Sequence, residues 1–472
     1  MEFMYGCLVV LLIFGLSNCD AWQIRGNSPP DNETVTTDTS EKEESDPDSW
    51  MVLPALHLSL TGLNIYQLPD DSIANPYVVS LDLSYNNMES MSPNAFRRLP
   101  KLRSLDLSGN RVDIGHVLFR VNISQLVTLK YQFPNGHSYN RDYQNLDIDL
   151  PYYPRLKILD LKGNGQQVSK LKLETITPQL THLDLSESDL TADKVVGHLP
   201  LTITHLFLDD NAINITQIGM LENIEELSIN RNIIAKPCVN QWYGEICNND
   251  PSRVIISAEW WRRMKRLHLS GNNIKEIVND GMSGQFDLLE LLDLSNNAIS
   301  DINSSFSNFF PNLKNLSLSR NQLSSIPSTL CSMNLLETLD LSSNEINTIF
   351  ADSSCTFKNL KKLNLRDNLM FIIGESNLNI FPSLTDLDLS SNRLKRLPRD
   401  WLNAEMLEIL RLNDNMFKAL NDIDLYGLPG LKELHVENNP LPLIHTDDMT
   451  HIWQNLTIYL KDMPVPESLP VV

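Results

Sequence analysis

The sequence predicts an α/β solenoid, in which short repeats stack side by side and each contributes one strand to a parallel sheet. The prediction rests on a phrase of eleven residues, leucine-x-x-leucine-x-leucine-x-x-asparagine-x-leucine, which returns about every 24 residues from Leu53 to Leu441. Within the phrase, leucines alternate with polar residues, as in a strand with one buried face. About 16 copies align when weak ones are included. Clear copies begin at Leu102, Leu289, Leu313 and Leu384.

One repeat cannot bury its own leucines, so neighbouring repeats must stack. We expect their strands to form the concave wall of a horseshoe. The return half of each repeat carries aromatic residues close to proline, among them Phe96, Phe309 and Phe381. We expect these aromatics to fill the opposite wall of the core.

Asparagine follows each strand because its side-chain amide both donates and accepts hydrogen bonds. It can satisfy the backbone groups that the sharp turn leaves unpaired, one repeat after another. Thr61 and Ser188 replace it in two repeats, where a hydroxyl can make only part of this bonding. We assign the asparagines to an internal ladder and not to a binding site: Asn86, Asn110, Asn164, Asn211, Asn232, Asn272, Asn297, Asn321, Asn344, Asn368, Asn392, Asn415 and Asn439.

The start of the chain predicts export. Residues 1–19 resemble a signal peptide, because Cys7–Leu16 is apolar, too short to span a bilayer and followed by small residues. No lysine or arginine precedes this stretch, so an uncleaved anchor is the alternative. Residues 20–50 form an acidic leader that has little to bury and is expected to be disordered.

The remaining chain divides into a solenoid over residues 51–441 and a cysteine-free cap and tail over 442–472. No segment after the signal peptide is long and apolar enough to cross a membrane. We therefore expect a secreted, extracellular protein without stable membrane insertion.

Potential N-glycosylation sites agree with export. Asn315 directly precedes a strand leucine, so a glycan there would stand on the concave face and prevent close docking. The candidate sites are Asn32, Asn122, Asn214, Asn303, Asn315 and Asn455.

Cysteines also indicate an oxidising compartment, because an even number remains after the signal peptide. Cys331 and Cys355 each lie five residues before a strand leucine. They therefore occupy the same place on adjacent repeats, roughly 5 Å apart, which a disulfide accepts. We predict this pair and a second one, Cys238 with Cys247, which closes a local loop. The alternative for Cys331 and Cys355 is two buried thiols.

Two irregular insertions interrupt the repeat, near 131–155 and 235–262, and binding elements are commonly inserted at such places. The first contains Pro134, where asparagine is expected, and several tyrosines after it. The sequence is compatible both with a local distortion of the repeat and with a tyrosine-rich surface at this insertion. The second carries the cysteine loop with Trp242 and Tyr243, aromatic residues that suit a protein interface.

Departures from the repeat consensus on the predicted face indicate two charged patches. One is acidic with an aromatic at its centre and contains His205, Phe207 and Asp209. The other is basic and contains Lys362, Arg366, Arg393 and Arg411. Opposed patches can steer and orient a partner. A merely solvated face is the alternative for either patch.

Charge and patterning exclude several classes of function. A net charge of −21 disfavours nucleic acid and anionic lipid as partners. A Ser-His-Asp site needs one activated nucleophile in a pocket, whereas serine and aspartate here recur at repeat spacing on an open sheet. His182 and His205 lack metal-ligand spacing. We therefore expect no catalytic, metal-binding or cofactor-binding residues.

These motifs resemble those of extracellular leucine-rich repeat proteins, over nearly the whole mature chain. That family includes Toll-type receptor ectodomains, adhesion molecules and secreted immune factors of insects. The resemblance implies a non-catalytic protein that binds a protein or glycoconjugate partner through its concave face and loop insertions, with a role in innate immunity. A matrix or adhesion component and a soluble inhibitor or ligand trap are the alternatives. The four-cysteine caps of many members are absent, and the sequence predicts no oligomeric state.

Overall fold

The computed structural model describes the chain in ranges that cover most of the predicted solenoid. The predicted signal peptide, the acidic leader, Pro134 with most of the tyrosine-rich stretch, and most of the tail lie outside them. The described residues are 55–112, 123–133, 152–165, 173–195, 199–213, 218, 221–232, 238–239, 246–247, 253–256, 258–259, 261–279, 284–349, 355–374, 380–397, 405–423, 425, 428–441 and 456–460.

The chain forms two compact units. Unit 1 comprises Met1–Leu190 with Gly197–Ile203, and unit 2 comprises Thr191–Val196 with Thr204–Val472. The elements of unit 1 are β1 Leu56–Ser59, β2 Gln67–Leu68, β3 Val78–Asp82, β4 Ser90–Met91, β5 Ser104–Asp106, β6 Thr128–Lys130, β7 Ile158–Asp160, α1 Leu173–Ile176 and β8 His182–Asp184. A parallel sheet is formed by β1, β3, β5, β6, β7 and β8 in that order, and β2 pairs with β4.

Unit 2 repeats the same architecture. Its elements are α2 Ala192–Val195, β9 His205–Phe207, β10 Glu226–Ser228, β11 Cys238–Val239, β12 Ile246–Cys247, β13 Arg253–Ile256, β14 Arg266–His268, β15 Glu276–Asn279, β16 Leu291–Asp293, α3 Phe306–Phe309, β17 Asn315–Ser317, a 3-10 helix Ser328–Ser332, β18 Thr338–Asp340, β19 Lys362–Asn364, β20 Asp386–Asp388, β21 Ile409–Arg411, a 3-10 helix Leu420–Asp422, β22 Glu433–His435 and β23 Thr457–Tyr459. The parallel sheet runs β9, β10, β14 and then β16 to β23 in chain order, while β11 pairs with β12 and β13 pairs with β15.

The sheet strands are short because only the alternating leucine phrase is extended. In unit 2, Leu316 of β17 lies in register between Leu292 and Leu339, and all three side chains are buried. Burial of one such leucine contributes about 2 kcal/mol. The residues on either side of each buried leucine form the outward strand face. Each unit is therefore a parallel-sheet solenoid, as the sequence predicts.

The asparagine ladder is confirmed by its hydrogen bonds. Asn344 Nδ2 donates to Leu318 O at 2.9 Å and to Leu341 O at 3.0 Å, while its Oδ1 accepts from Leu323 N at 3.0 Å. One side chain thus joins the turn of its own repeat to the preceding repeat. We name each repeat of the structure, or rung, by its ladder asparagine.

Thr61 does not occupy the ladder position of its repeat. Asn86 Nδ2 donates to Leu60 O at 2.6 Å as Asn110 Nδ2 donates to Leu83 O at 2.9 Å, so Leu60 corresponds to Leu83 and the ladder position falls on Leu63. The Thr61 hydroxyl instead lies near the hydroxyls of Ser59 and Ser84.

The residue before each ladder position adopts a left-handed backbone, which the sequence analysis did not predict. Arg320, Ser343 and Asp367 have φ of 53°, 52° and 55°, and Gly109 and Gly271 occupy the same position with φ of 68° and 71°. This conformation turns the chain out of the strand so that the asparagine points inward. It costs a non-glycine residue about 1 kcal/mol or more.

Recurrent aspartates of the strand phrase also have a structural role. In β16, Asp293 Oδ1 accepts from Ser295 N at 2.9 Å, and Asp340 of β18 does the same with Ser342 N at 2.9 Å. The carboxylate therefore caps the end of its own strand. These aspartates are not available as a set of free acidic groups.

The aromatic residues of the return segments fill the second wall of the core, as predicted. Phe96, Phe309 and Phe381 are buried. In unit 2, Phe286 packs against Phe309 with ring centroids 5.1 Å apart and against Trp261 at 6.5 Å.

Candidate partner-binding surfaces

The strand face of β9, β10 and β14 carries a cluster centred on Glu226. The register places Glu226 between His205 and Arg266 on the neighbouring strands. Arg266 Nη2 lies 2.6 Å from Glu226 Oε2, His205 Nε2 lies 3.7 Å from the same oxygen, and His268 Nε2 lies 3.5 Å from Oε1. The Glu226 side chain is only 15% exposed. Its charge is compensated by Arg266, and the two histidine rings lie on either side of the carboxylate.

Asp209, predicted for the acidic patch, is likewise engaged within the fold. Its Oδ1 accepts from Ser228 Oγ at 2.6 Å and from Asn230 N at 2.8 Å, and its Oδ2 accepts from Asn230 Nδ2 at 3.1 Å. Phe207 lies in register with Ser228 and is partly exposed. At the predicted patch of His205, Phe207 and Asp209, the carboxylates are therefore bonded within the fold, and they surround a partly exposed aromatic ring.

Sequence reasoning missed Arg266 and His268, which belong to this cluster. The 40-residue separation between Glu226 and Arg266 hid their adjacency, because the other rungs are closer in sequence. The ladder supplied the missing signal: aligning Asn232 with Asn272 places Glu226 and Arg266 in the same column.

The predicted basic patch is not one uniform group. Arg411 of β21 makes an ion pair with Asp386 of β20, with Nη1 2.5 Å from Oδ1. Its charge is already matched. Lys362 of β19 lies in register between Thr338 and Asp386, and it is exposed.

Arg366 and Arg393 occupy different parts of their rungs. Arg366 follows β19 and is exposed, and its backbone oxygen accepts from Ser343 N at 2.8 Å. Arg393 follows the ladder residue Asn392 and is therefore in the turn beyond the strand. Within the described residues, the side chains of Lys362, Arg366 and Arg393 make neither a hydrogen bond nor an ion pair.

The insertion in unit 2 forms a small antiparallel ribbon. Backbone pairing of β11 with β12 places Cys238 directly opposite Cys247. Trp242 and Tyr243, predicted at its tip, lie outside the described residues. Trp261, near the end of the insertion, is 1% exposed and belongs to the core.

Cys331 and Cys355 are joined by a disulfide, with Cα atoms 5.3 Å apart. The bond links the return segments of consecutive rungs, where Cys355 is buried. This is the place on adjacent repeats that residue counting indicated.

Two of the predicted glycosylation sites fall on described residues. Asn315 lies on the strand face of β17, in register with Leu291 and Thr338. The Asn303 side chain donates to Glu276 Oε1 at 3.3 Å and accepts from Ser305 N at 2.8 Å. Asn32, Asn122, Asn214 and Asn455 lie outside the described residues. Across the part of the chain that the structure describes, no helix has the length and apolar character needed to cross a membrane.

Comparison with known proteins agrees with this architecture. A family model described as leucine rich repeat matches residues 56–112, 311–370 and 382–441. Over these three ranges the chain consists of repeats that match the leucine-rich repeat family. Proteins of this family typically serve as non-catalytic scaffolds for protein interaction. The matched residues include β19 to β22 and therefore Lys362, Arg366, Arg393 and Arg411.

The curated proteins that resemble this chain are distant from it. Trophoblast glycoprotein of Macaca fascicularis is 27% identical over 190 residues, which cover 36% of this chain and 45% of the relative. Podocan-like protein 1 of Mus musculus is 29% identical over 174 residues, which cover 35% of this chain and 27% of the relative. The chain thus spans less than half the length of either relative.

A solved structure shows the same fold. A leucine-rich repeat protein of Leptospira interrogans superposes with a TM-score of 0.55 at 20% identity, over 81% of this chain and 96% of that one. At this identity, the likeness concerns the fold alone.

Proposed function

We propose that this leucine-rich repeat protein is a secreted, non-catalytic recognition protein that binds a protein or glycoconjugate partner in innate immunity. The observation that carries the proposal is the exposed pair Lys362 and Arg366, which have no partner within the described residues of a chain with a net charge of −21. A local cationic surface on an acidic molecule orients an anionic partner. The horseshoe curvature and the total of about 16 repeats are part of the same proposal.

Secretion is supported by the Cys331–Cys355 disulfide, since such bonds persist mainly in oxidising compartments. It is also supported by the apolar stretch Cys7–Leu16. Expression of the full chain in cultured animal cells tests it. We expect the protein in the medium, with an amino terminus after residue 19 and glycans on some of the predicted sites. Retention of an uncleaved chain in the membrane fraction would contradict secretion.

Partner binding is tested on the wild-type protein in its native fluid. Co-purified molecules are identified, and their affinities are then measured with Lys362→Glu/Arg366→Glu. We expect at least about a tenfold loss. Lys275→Glu is the matched control, because Lys275 is an exposed cation elsewhere in unit 2 without a described partner. Equal affinity of all three proteins would refute the role of this pair. Binding to microbial surfaces supports the immune role, whereas retention in tissue matrix contradicts it.

A further inference from the structure

The turn beyond each ladder asparagine presents outward side chains in a fixed pattern. In the Asn344 rung, Glu345, Asn347 and Thr348 are exposed or half-exposed, whereas Ile346 and Ile349 are buried. The residue after the asparagine and the residues three and four places after it therefore form an outer surface. This surface is separate from the strand face.

The four consecutive rungs of Asn272, Asn297, Asn321 and Asn344 place polar or small residues at these outward positions. They are Asn273, Lys275 and Glu276, then Ala298, Ser300 and Asp301, then Gln322, Ser324 and Ser325, and then Glu345, Asn347 and Thr348. The Asn368 rung departs from this series. It presents Leu369, Phe371 and Ile372, which are 37%, 61% and 51% exposed.

The next rung presents only cations at the same positions, namely Arg393, Lys395 and Arg396, and all three are exposed. The two rungs are adjacent, because Arg393 N donates to Met370 O at 2.8 Å. Stacked rungs are roughly 5 Å apart. An apolar row and a cationic row therefore run side by side. We call these six residues, Leu369, Phe371, Ile372, Arg393, Lys395 and Arg396, the turn surface.

The following rung extends the surface with the same two kinds of side chain. Met416 N donates to Leu394 O at 2.8 Å, which places this rung against the cationic row. Met416 is 43% exposed and Lys418 is exposed. The surface is thus apolar and cationic over consecutive rungs.

Nothing among the described residues neutralises these cations. The side chains of Arg393, Lys395 and Arg396 make no described hydrogen bond or ion pair. Other cations of unit 2 do, as Lys361 lies 2.7 Å from Glu337 and Lys432 lies 2.7 Å from Glu408.

Two acidic residues of neighbouring rungs, Glu345 and Asp422, do not neutralise these cations. Glu345 is in the rung before the apolar row, so that row separates it from the cations. The Asp422 carboxylate accepts from the backbone nitrogens of Lys418 and Ala419 at 3.1 and 2.9 Å. This carboxylate therefore stabilises the turn of its own rung.

We propose that the turn surface is a docking site for an acidic protein segment that carries apolar side chains. Exposed phenylalanine, isoleucine and leucine gain free energy when a partner buries them. The adjacent cationic row selects acidic side chains and sets the direction of the segment.

A protein segment fits this site better than a membrane surface. A segment touches only the local patch, whereas an extended anionic bilayer also meets the field of a chain with a net charge of −21. The inference rests on the proposed function in that unit 2 binds protein, but it uses a surface distinct from Lys362 and Arg366.

The test uses the full mature protein and a short fluorescent peptide that alternates glutamate with leucine and phenylalanine. Phe371→Asn/Ile372→Thr copies the outward residues of the Asn344 rung, and Lys395→Ser/Arg396→Ser copies those of the Asn321 rung. Both variants carry side chains that this fold already holds at these positions. We expect each to bind the peptide at least about tenfold more weakly than wild type.

Lys275→Ser is the matched control, because Lys275 occupies the outward position of Lys395 in a rung with a polar neighbour. We expect it to bind the peptide like wild type. A second peptide with lysine in place of glutamate should bind none of the proteins measurably. Equal affinity of wild type and both turn-surface variants for the acidic peptide would overturn the proposal.

Photo-crosslinking of the acidic peptide to wild-type protein locates the site without any variant. Crosslinks to residues 369–372 and 393–396 support the proposal. Crosslinks confined to 362–366 would assign the peptide to the strand face and overturn it. Binding to phosphatidylserine vesicles without binding to the peptide would also overturn it, in favour of a membrane surface. Loss of native-partner affinity in Lys362→Glu/Arg366→Glu, with unchanged peptide binding, would separate the two proposals.

Discussion

Two neighbouring rungs of unit 2, those of Asn344 and Asn368, make the same interior bonds and present different exteriors. Asn344 Oδ1 accepts from Leu323 N, and Asn368 Oδ1 accepts from Ile346 N, each at 3.0 Å. Both amides also donate to leucine carbonyls of their own rung and of the preceding rung. Outside, one rung presents polar residues and the other presents Leu369, Phe371 and Ile372.

The comparison separates the part of a rung that specifies the fold from the part that is free to vary. Interior positions must satisfy backbone groups and fill a core of fixed spacing, so both rungs use asparagine and buried aliphatic residues there. Outward positions in the turn neither satisfy backbone groups nor fill the core. The fold therefore does not require the apolar exterior of the Asn368 rung, which is the observation behind the proposed docking site.

The largest expected effect comes from breaking the shared interior. Asn344→Ala and Asn368→Ala each leave several buried backbone groups without a partner, at a cost of about 1–3 kcal/mol for each group. We expect each substitution to lower the free energy of unfolding by about 3 kcal/mol, measured by thermal unfolding with circular dichroism.

The matched control for these variants is Phe371→Asn/Ile372→Thr, which changes only the exterior of the Asn368 rung. Its unfolding free energy should stay within about 0.5 kcal/mol of wild type. A large loss there, or none in the asparagine variants, would show that the exterior rather than the ladder holds the rung.

Sequence alone predicts the interior of a rung better than its surface. The phrase names its buried leucines and its asparagine by position, and Asn344 and Leu339 therefore lie where it places them. It cannot show that Arg411 is matched by Asp386, because that depends on side chains of two strands in register. Adjacency across the insertion, as for Glu226 and Arg266, is equally hidden until the ladder is aligned.

A second contrast concerns glutamates on two strand regions of unit 2. Glu226 faces Arg266 and two histidines and is largely buried, whereas Glu337 pairs with Lys361 at the surface, where both side chains are more than 40% exposed. Glu226→Ala removes the carboxylate that Arg266, His205 and His268 share. We expect a loss of about 1–2 kcal/mol in unfolding free energy.

Glu337→Ala is the control for that substitution. An ion pair between an exposed glutamate and an exposed lysine contributes little to stability, so we expect no measurable change in the unfolding transition. The same thermal measurement at low ionic strength compares the two variants. Equal losses would mean that burial of Glu226 adds nothing to its interactions.

A smaller effect distinguishes two aspartates at the same strand position in unit 1. Burial raises the pKa of Asp184, and the charge of Asp160 on the adjacent strand raises it further. Burial acts in the same direction at Asp82, but hydrogen bonds from Ser84 and Thr61 and the charge of Lys130 outweigh it, so the pKa of Asp82 is lowered.

These shifts have opposite consequences for stability. As pH rises, Asp184 loses its proton near the ordinary pKa of 3.8 in the unfolded chain and only at higher pH in the folded protein. The stability that Asp184 contributes below 3.8 is therefore lost as pH rises through the raised folded pKa. Asp82 contributes stability above 3.8 that is lost as pH falls through its lowered folded pKa. We expect Asp184→Asn to raise Tm by a few degrees near neutral pH but not in acid, and Asp82→Asn to lower Tm near neutral pH. Parallel pH profiles of the two variants would contradict these assignments.

The smallest effect tests the left-handed residue that precedes each ladder asparagine. Arg320 has φ of 53°, and the equivalent Gly271 has φ of 71°. Arg320→Gly relieves backbone strain of about 1 kcal/mol. Glycine also raises the conformational entropy of the unfolded chain, which costs slightly less than this strain. We therefore expect the free energy of unfolding to rise by up to about 0.5 kcal/mol. Gln322→Gly, two residues later on ordinary backbone, should instead cost about 0.5–1 kcal/mol. Changes of opposite sign in the free energy of unfolding of the two variants would show that every rung requires the turn conformation, whichever residue occupies it. They would also show that the exterior side chain of Arg320 is not needed for folding.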